Sequence, residues 1–327
     1  MPSTTPDGSE NSSDTEPLQE WSDPADSEDQ SLQASIYGAC MAQILWVNLH
    51  PGHVGQSMAF VLVFLHMVNL GIQTALVTFT KKYIVYPAKM EVRELYGAFH
   101  HDVFPNGIEG PYSVDNWVDF HHKTALCSIP LNCPAFLCII LSLWLLVMLP
   151  DIMDSWRQIW WLFHLPRCRD AKAESVVSSQ GGDDIEVVVK VSRNLRWTLI
   201  LLIMLPKAMV GQYVFNVGSR WLVATDSFKD VILNGVALGF IIQVDEMLYD
   251  SVLPAICKQF LGNVRIRTPK ISQKNLQTNM TLRVLGQVAV LIIYPIAYIF
   301  FFQSVLPDFK NDMGEACEAI WDTKWVF

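Results

Sequence analysis

Lys207 sits inside an apolar run, the eleventh of about 21 residues in the stretch 197–217 and directly after Pro206. An ammonium in hydrocarbon costs several kcal/mol unless it meets a counter-charge or water, so such a lysine marks a functional site or an ion pair. Pro206 removes a backbone N–H at the same place, the pattern of the broken helices that hold transporter sites. The expected partner is Asp230 or Asp245 on the next apolar stretch. The alternative is a shifted span whose lysine snorkels to the interface.

Residues 225–254 carry that next stretch. Thr225 or Asp226 caps a helix start, and Ser227 and Asp230 have capping-box spacing with Asp at the acidic place. At 100° per residue, Asp230, Asn234 and Asp245 fall within about 60° of one another on one face. Gly235 and Gly239, four apart, lie on a different face and would let another helix approach closely. Asp226, Asp230, Asp245, Glu246 and Asp250 oppose a single Lys229. Carboxylates at both ends and an amide between them suit a cation path. The plainer alternative places Asp245 and Glu246 at the membrane–water boundary, with Asn234 bonding a neighbouring helix.

A third polar set, His66, Asn69 and Gln73, follows the i, i+3, i+7 rule and continues to Thr80. A stripe that long turns toward other helices rather than lipid, either as interhelical hydrogen bonds or as a lining. Between residues 80 and 128 two short sequences echo each other: His100, His101, Asp102 and Asp119, His121, His122. Four imidazoles and two carboxylates could assemble a zinc site, although adjacent histidines point apart and no known ligand spacing is present. Cys127 and Cys133 would form a disulfide if their loop faces an oxidising compartment. Cys168, among Arg167, Arg169 and Lys172, is a palmitoylation candidate. Asn11 and Asn279 open glycosylation sequons usable only on a lumenal face. The terminal Trp325-Val326-Phe327 has the form of a PDZ ligand.

The elements that must position these residues are membrane helices. Of 327 residues, 51% are hydrophobic and 17% charged, too few charges for a soluble domain of this size. Apolar runs at about 58–79, 129–149, 197–217, 230–249 and 284–305 approach the 20 residues or so that cross a bilayer. The expected fold is therefore all-α: a polytopic bundle of four or five spans over 56–305, with a C-terminal tail at 306–327. Residues 1–55 divide into an acidic tail, too polar to offset the entropy of ordering, and a short apolar run suited to an interfacial helix. A second interfacial helix is expected at 151–165, rich in tryptophan, and a flexible linker at 175–184.

The net charge is −9, and residues 1–80 contain no Lys or Arg, which excludes a nucleic-acid binder. The loops 150–196 and 250–283 hold thirteen basic residues against nine on the other side, which favours a cytoplasmic N-terminus; the basic flank after the first span argues the reverse. No catalytic motif is present, so neither an enzyme nor a cofactor is expected. The run 233–241 followed by Val244-Asp245-Glu246 resembles a segment of uncharacterised multi-pass membrane proteins of dinoflagellates and related protists, over about thirty residues. That resemblance implies a membrane location and a protist source, and no substrate. The functional expectation is an integral protein of the plasma membrane or an internal membrane, with a cation channel or transporter role and inorganic cations and a second copy as candidate partners. The competing expectation is a non-conducting scaffold, receptor or assembly protein that acts through tails and loops.

Overall fold

The computed structural model describes residues 27–104, 113–168, 173–180, 183–269, 273–306, 309–310, 312–314 and 316–318. The acidic tail, Asn11 and the terminal Trp325-Val326-Phe327 lie outside them. Among the described residues, five helices are long and apolar enough to cross a membrane: His53–Val103, Pro134–His164, Arg193–Ala224, Phe228–Val252 and Met280–Phe302. The bundle buries polar groups within its apolar core and leaves large apolar side chains on its outer surface. His66 and Asn69 are fully buried, whereas Phe60 and Phe301 are 75% and 80% exposed. Water would drive the reverse arrangement, and hydrocarbon permits this one.

In chain order, β1 (Ser27–Ser31) enters α1 (Ile36–Leu49), which turns at Pro51-Gly52 into α2 (His53–Phe79). A π turn (Thr80–Val85) continues into α3 (Tyr86–Val103), followed by α4 (Val114–Asp119) and α5 (Lys123–Ser128). The second span is α6 (Pro134–His164). The third is α7 (Arg193–Leu199), a π turn (Ile200–Met204) and α8 (Leu205–Ala224). The fourth is α9 (Phe228–Val252), leading through α10 (Ala255–Gly262) to α11 (Gln273–Ala297) and a closing π turn (Tyr298–Phe302). Between spans lie β2 (Glu174–Gln180), β3 (Asp183–Lys190) and β4 (Val264–Pro269). These join β1 in one sheet of order β1-β4-β3-β2, parallel only between β3 and β4.

Several expectations are corrected. The run before Pro51 is not an interfacial helix: α1 is buried along most of its length and packs on α2, α9 and α10. At 14 residues, or about 21 Å, it is too short to span. Its first turn nevertheless reaches inward, where Tyr37 Oη donates to Gln73 Oε1 at 2.7 Å, and near its other end Gln43 Nε2 donates to the Gly55 carbonyl at 3.0 Å. Helix α1 thus doubles back along α2 as a re-entrant arm. Residues 151–165 form no separate interfacial helix either, because α6 runs unbroken through Pro150 to His164. One proline removes one hydrogen bond and leaves the remaining ladder to carry the helix. The supposed linker at 175–184 is a hairpin whose alternating Val176, Ile185, Val187 pattern suits strands.

The two ends of the bundle differ. The sheet lies at the end where α2 and α11 begin and α6 and α9 finish. At the opposite end α3, α4 and α5 pack with the segment after the last span, where Met313, Ala316 and Cys317 are buried. Cys127 is bonded there to Cys317, 190 residues away, and not to Cys133, which is free and exposed. Helix ends are tied by arginine. Arg93 donates to the carbonyls of Ser304 and Val305 at 2.9 and 2.7 Å, and Arg196 to those of Phe163 and Leu165. Cations suit the negative ends of helices.

A candidate intramembrane polar site

Lys207 lies on the first turn of α8 and is 3% exposed. Its Nζ stands 3.2 Å from Asp151 Oδ1 on α6, donates to Gln33 Oε1 from the segment before α1, and sits 5.1 Å from the Tyr37 ring centroid. The cation is therefore met by a carboxylate, an amide oxygen and an aromatic face, the partners that make a buried ammonium tolerable. Asp245, 4% exposed on α9, lines the same small void as Lys207, Asp151, Tyr37 and Gln73. That void is about 10 Å³, room for one water and no more.

The stripe on α2 completes the cluster. Gln73 accepts from Tyr37 and donates to the carbonyls of Ile241 and Ile242 at 3.2 and 3.3 Å, which holds α1, α2 and α9 together. Asn69 Nδ2 lies 3.4 Å from Gln73 Oε1, and its own Oδ1 is buried without a partner among the described residues. His66 Nε2 donates to the Leu202 carbonyl at 3.0 Å, leaving Nδ1 buried and bare. That carbonyl lies in the π turn directly before Pro206, where the ladder also lacks one N–H. The same device recurs at Pro295: the freed Leu291 carbonyl lies 3.0 Å from Ser142 Oγ of α6, whose hydroxyl also faces Cys138 O. In a membrane, carbonyls released by proline are met by side chains from neighbouring helices.

Of the residues singled out in the sequence, Lys207, Asp245, His66, Asn69 and Gln73 come together here. Asp230 and Asn234 do not: Asp230 is in the first turn of α9, at the far end, and Asn234 Nδ2 donates to Thr225 Oγ1 at 2.9 Å. Glu246 is exposed. Gly235 and Gly239 are not a close helix contact among the described residues: a Cβ on Gly235 would meet Leu222 of α8 only at 3.9 Å, and one on Gly239 would meet nothing within 4 Å. The close approach falls instead at Gly218, where a Cβ would stand 2.6 Å from the Trp144 ring. Lys207 pairs with Asp151, which sequence reasoning read as a span terminus after Pro150. The signal was available: Asp151 directly follows a proline in an apolar run, as Lys207 does. Gln33 and Tyr37 were missed because nothing in their local sequence marks a re-entrant arm.

The histidine pairs are drawn apart. His100 bonds Asp312 at 2.6 Å and His101 bonds Asp102 at 2.8 Å. Asp119 ends α4 and His121 and His122 follow it, and among the described residues no three His, Cys, Asp or Glu side chains are grouped to hold a metal ion.

Fold and site together define a polytopic helical membrane protein with a buried charged cluster among its spans. No family model matches the chain, and no curated protein and no solved structure is similar to it.

Proposed function

We propose that this protein is a cation carrier, with Lys207, Asp151 and Asp245 as its ion- or proton-coupling centre. The observation that supports the reading is charge imbalance: two carboxylates and one ammonium line a single small void within the bundle. A carboxylate beyond the number needed for the ion pair is neutralised in a low-dielectric interior by a proton or a cation, which is the chemistry of coupled transport. The void admits no hydrated ion, so the geometry suits an occluded conformer of a carrier better than an open channel. The third span runs unbroken through Pro206, and the π turn before it supplies a place for helix movement.

The disulfide supports an orientation. Cys127–Cys317 persists in an oxidising compartment, which puts that end outside or in a lumen and the sheet and N-terminal strand in the cytosol. The excess of basic residues on the sheet side agrees.

The test is flux. Protein reconstituted in liposomes should move protons or monovalent cations above the empty-vesicle rate, and Asp245→Asn and Lys207→Met should each change that flux while inserting normally. Wild-type protein that passes no cation at several pH values and potentials would remove the carrier reading. A non-conducting scaffold is the second reading, favoured by the four-stranded sheet at one end of the bundle. It expects stable partners that are lost when β1 and what precedes it are deleted, together with absent flux.

A further inference from the structure

We infer that the disulfide end of the bundle carries a binding pocket for a phosphate-type oxyanion, formed between the start of α3 and the last turns of α8. The pocket, about 290 Å³, is lined by Lys81, Lys89 and Arg220 together with Tyr86, Tyr213 and Asn216. It contains three cations and no carboxylate. Among the described residues, none of the three cations lies within ion-pair distance of an acid, although eight such pairs occur elsewhere.

The contacts these cations make do not neutralise them. Lys81 Nζ sits over the Tyr213 ring at 5.5 Å, and Arg220 lines the pocket beside Asn216. Lys89 feels the charges of both Arg220 and Arg93, and Arg93 is itself fixed on the Ser304 and Val305 carbonyls. Like charges that converge on one concavity repel, and an oxyanion placed among them removes the repulsion while accepting their N–H groups. The two tyrosine hydroxyls and the Asn216 amide add neutral donors of the kind that orient a phosphoryl group. Three cations with hydroxyls and an amide match a dianion better than chloride.

The pocket lies beyond the Lys207 cluster along α8, which lines the inner void through Val210, Gly211 and Val214 and the pocket through Tyr213, Asn216 and Val217. The two sites are distinct in charge sign, so the inference goes beyond the carrier reading and does not rest on it. Its ligand is either a free phosphate or a phospholipid headgroup, because the pocket sits where Lys81 and Lys82 follow the apolar part of the first span.

The experiment uses the full chain in neutral detergent and in nanodiscs. Inorganic phosphate titrated against chloride at equal ionic strength should bind saturably, or anionic phospholipid should be retained over zwitterionic lipid by native mass spectrometry. The first outcome assigns a free anion and the second a headgroup. Lys89→Gln and Lys81→Gln should each weaken binding by about tenfold, as expected for loss of a charge-assisted hydrogen bond. Lys82→Gln, outside the lining, should leave binding unchanged, and Lys89→Arg should retain most of it in a chain that still elutes as a single species. Absence of both phosphate and anionic-lipid binding, or binding indifferent to Lys81 and Lys89, would overturn the inference.

Discussion

His66 on α2 donates to the Leu202 carbonyl across 3.0 Å, within the π turn that directly precedes Pro206. The contact ties the first span to the third at the point where the third changes from a π turn to an α-helix. A backbone acceptor freed inside a membrane has no water to fall back on, so its partner must come from another helix.

That pairing predicts strong non-additivity. His66→Phe should destabilise the wild type by about 1–3 kcal/mol, the cost of a buried acceptor left unmade. In a Pro206→Ala background the restored N–H adds a donor for the carbonyls of the π turn, and the same substitution should cost less. Thermal or denaturant melts of the four proteins in detergent measure the difference. Equal costs in both backgrounds would show that the histidine does not serve that carbonyl.

The Lys207–Asp151 pair is predicted to be asymmetric in the same manner. Lys207→Met or Asp151→Asn alone should destabilise by about 3–5 kcal/mol, because each strands a buried group that had a counter-charge. Lys207→Met combined with Asp151→Asn should recover part of the loss. A double variant as unstable as the sum of the singles would place the two side chains outside contact.

Gly38 governs the entry of the re-entrant arm. A Cβ there would stand 2.0 Å from the Gln33 carbonyl oxygen, backbone that cannot move without withdrawing Gln33 from Lys207. Gly38→Ala should cost about 1–3 kcal/mol through this overlap, whereas Gly239→Ala, in open space, should be close to neutral. Melting temperatures of the two variants provide the comparison.

Burial pushes the Cys40 thiol up to about 12, while Cys133 is exposed and free. A raised thiol pKa keeps the protonated form at neutral pH, so thiolate appears only as pH climbs toward that value. Maleimide at neutral pH should label Cys133 rapidly and Cys40 only after denaturation, as read by peptide mass spectrometry. Rapid labelling of Cys40 in the folded protein would contradict the buried position of α1.

The long disulfide makes a covalent and a topological prediction. Cys317→Ser should remove a mobility difference between reduced and oxidised protein on a denaturing gel, and should lower stability by about 2–5 kcal/mol. Asn279 opens its sequon near the start of α11, at the sheet end, and should remain unglycosylated in cells. A consensus site engineered into the segment between α3 and α4 should be modified. The reverse pattern would invert the orientation.

The sequence by itself determined that four or five apolar stretches are long enough to cross a bilayer and that the stripe of His66, Asn69 and Gln73 turns toward other helices, while for Lys207 and Asp245 it left an inward and an interfacial position open. Both follow from composition and periodicity, since hydrocarbon rejects unpaired polar groups wherever they occur along the chain. Only the tertiary structure decided which partner each polar group meets. Asp151 rather than Asp230 faces Lys207, Gln33 and Tyr37 arrive on a re-entrant arm, and Cys127 meets Cys317. These contacts join residues 36 to 190 positions apart, and hydropathy specifies that a group must be satisfied without specifying by whom. The sheet was hidden for a related reason: β1 and β4 lie far apart in the sequence, and strands this short declare themselves only when a neighbour completes their hydrogen bonds.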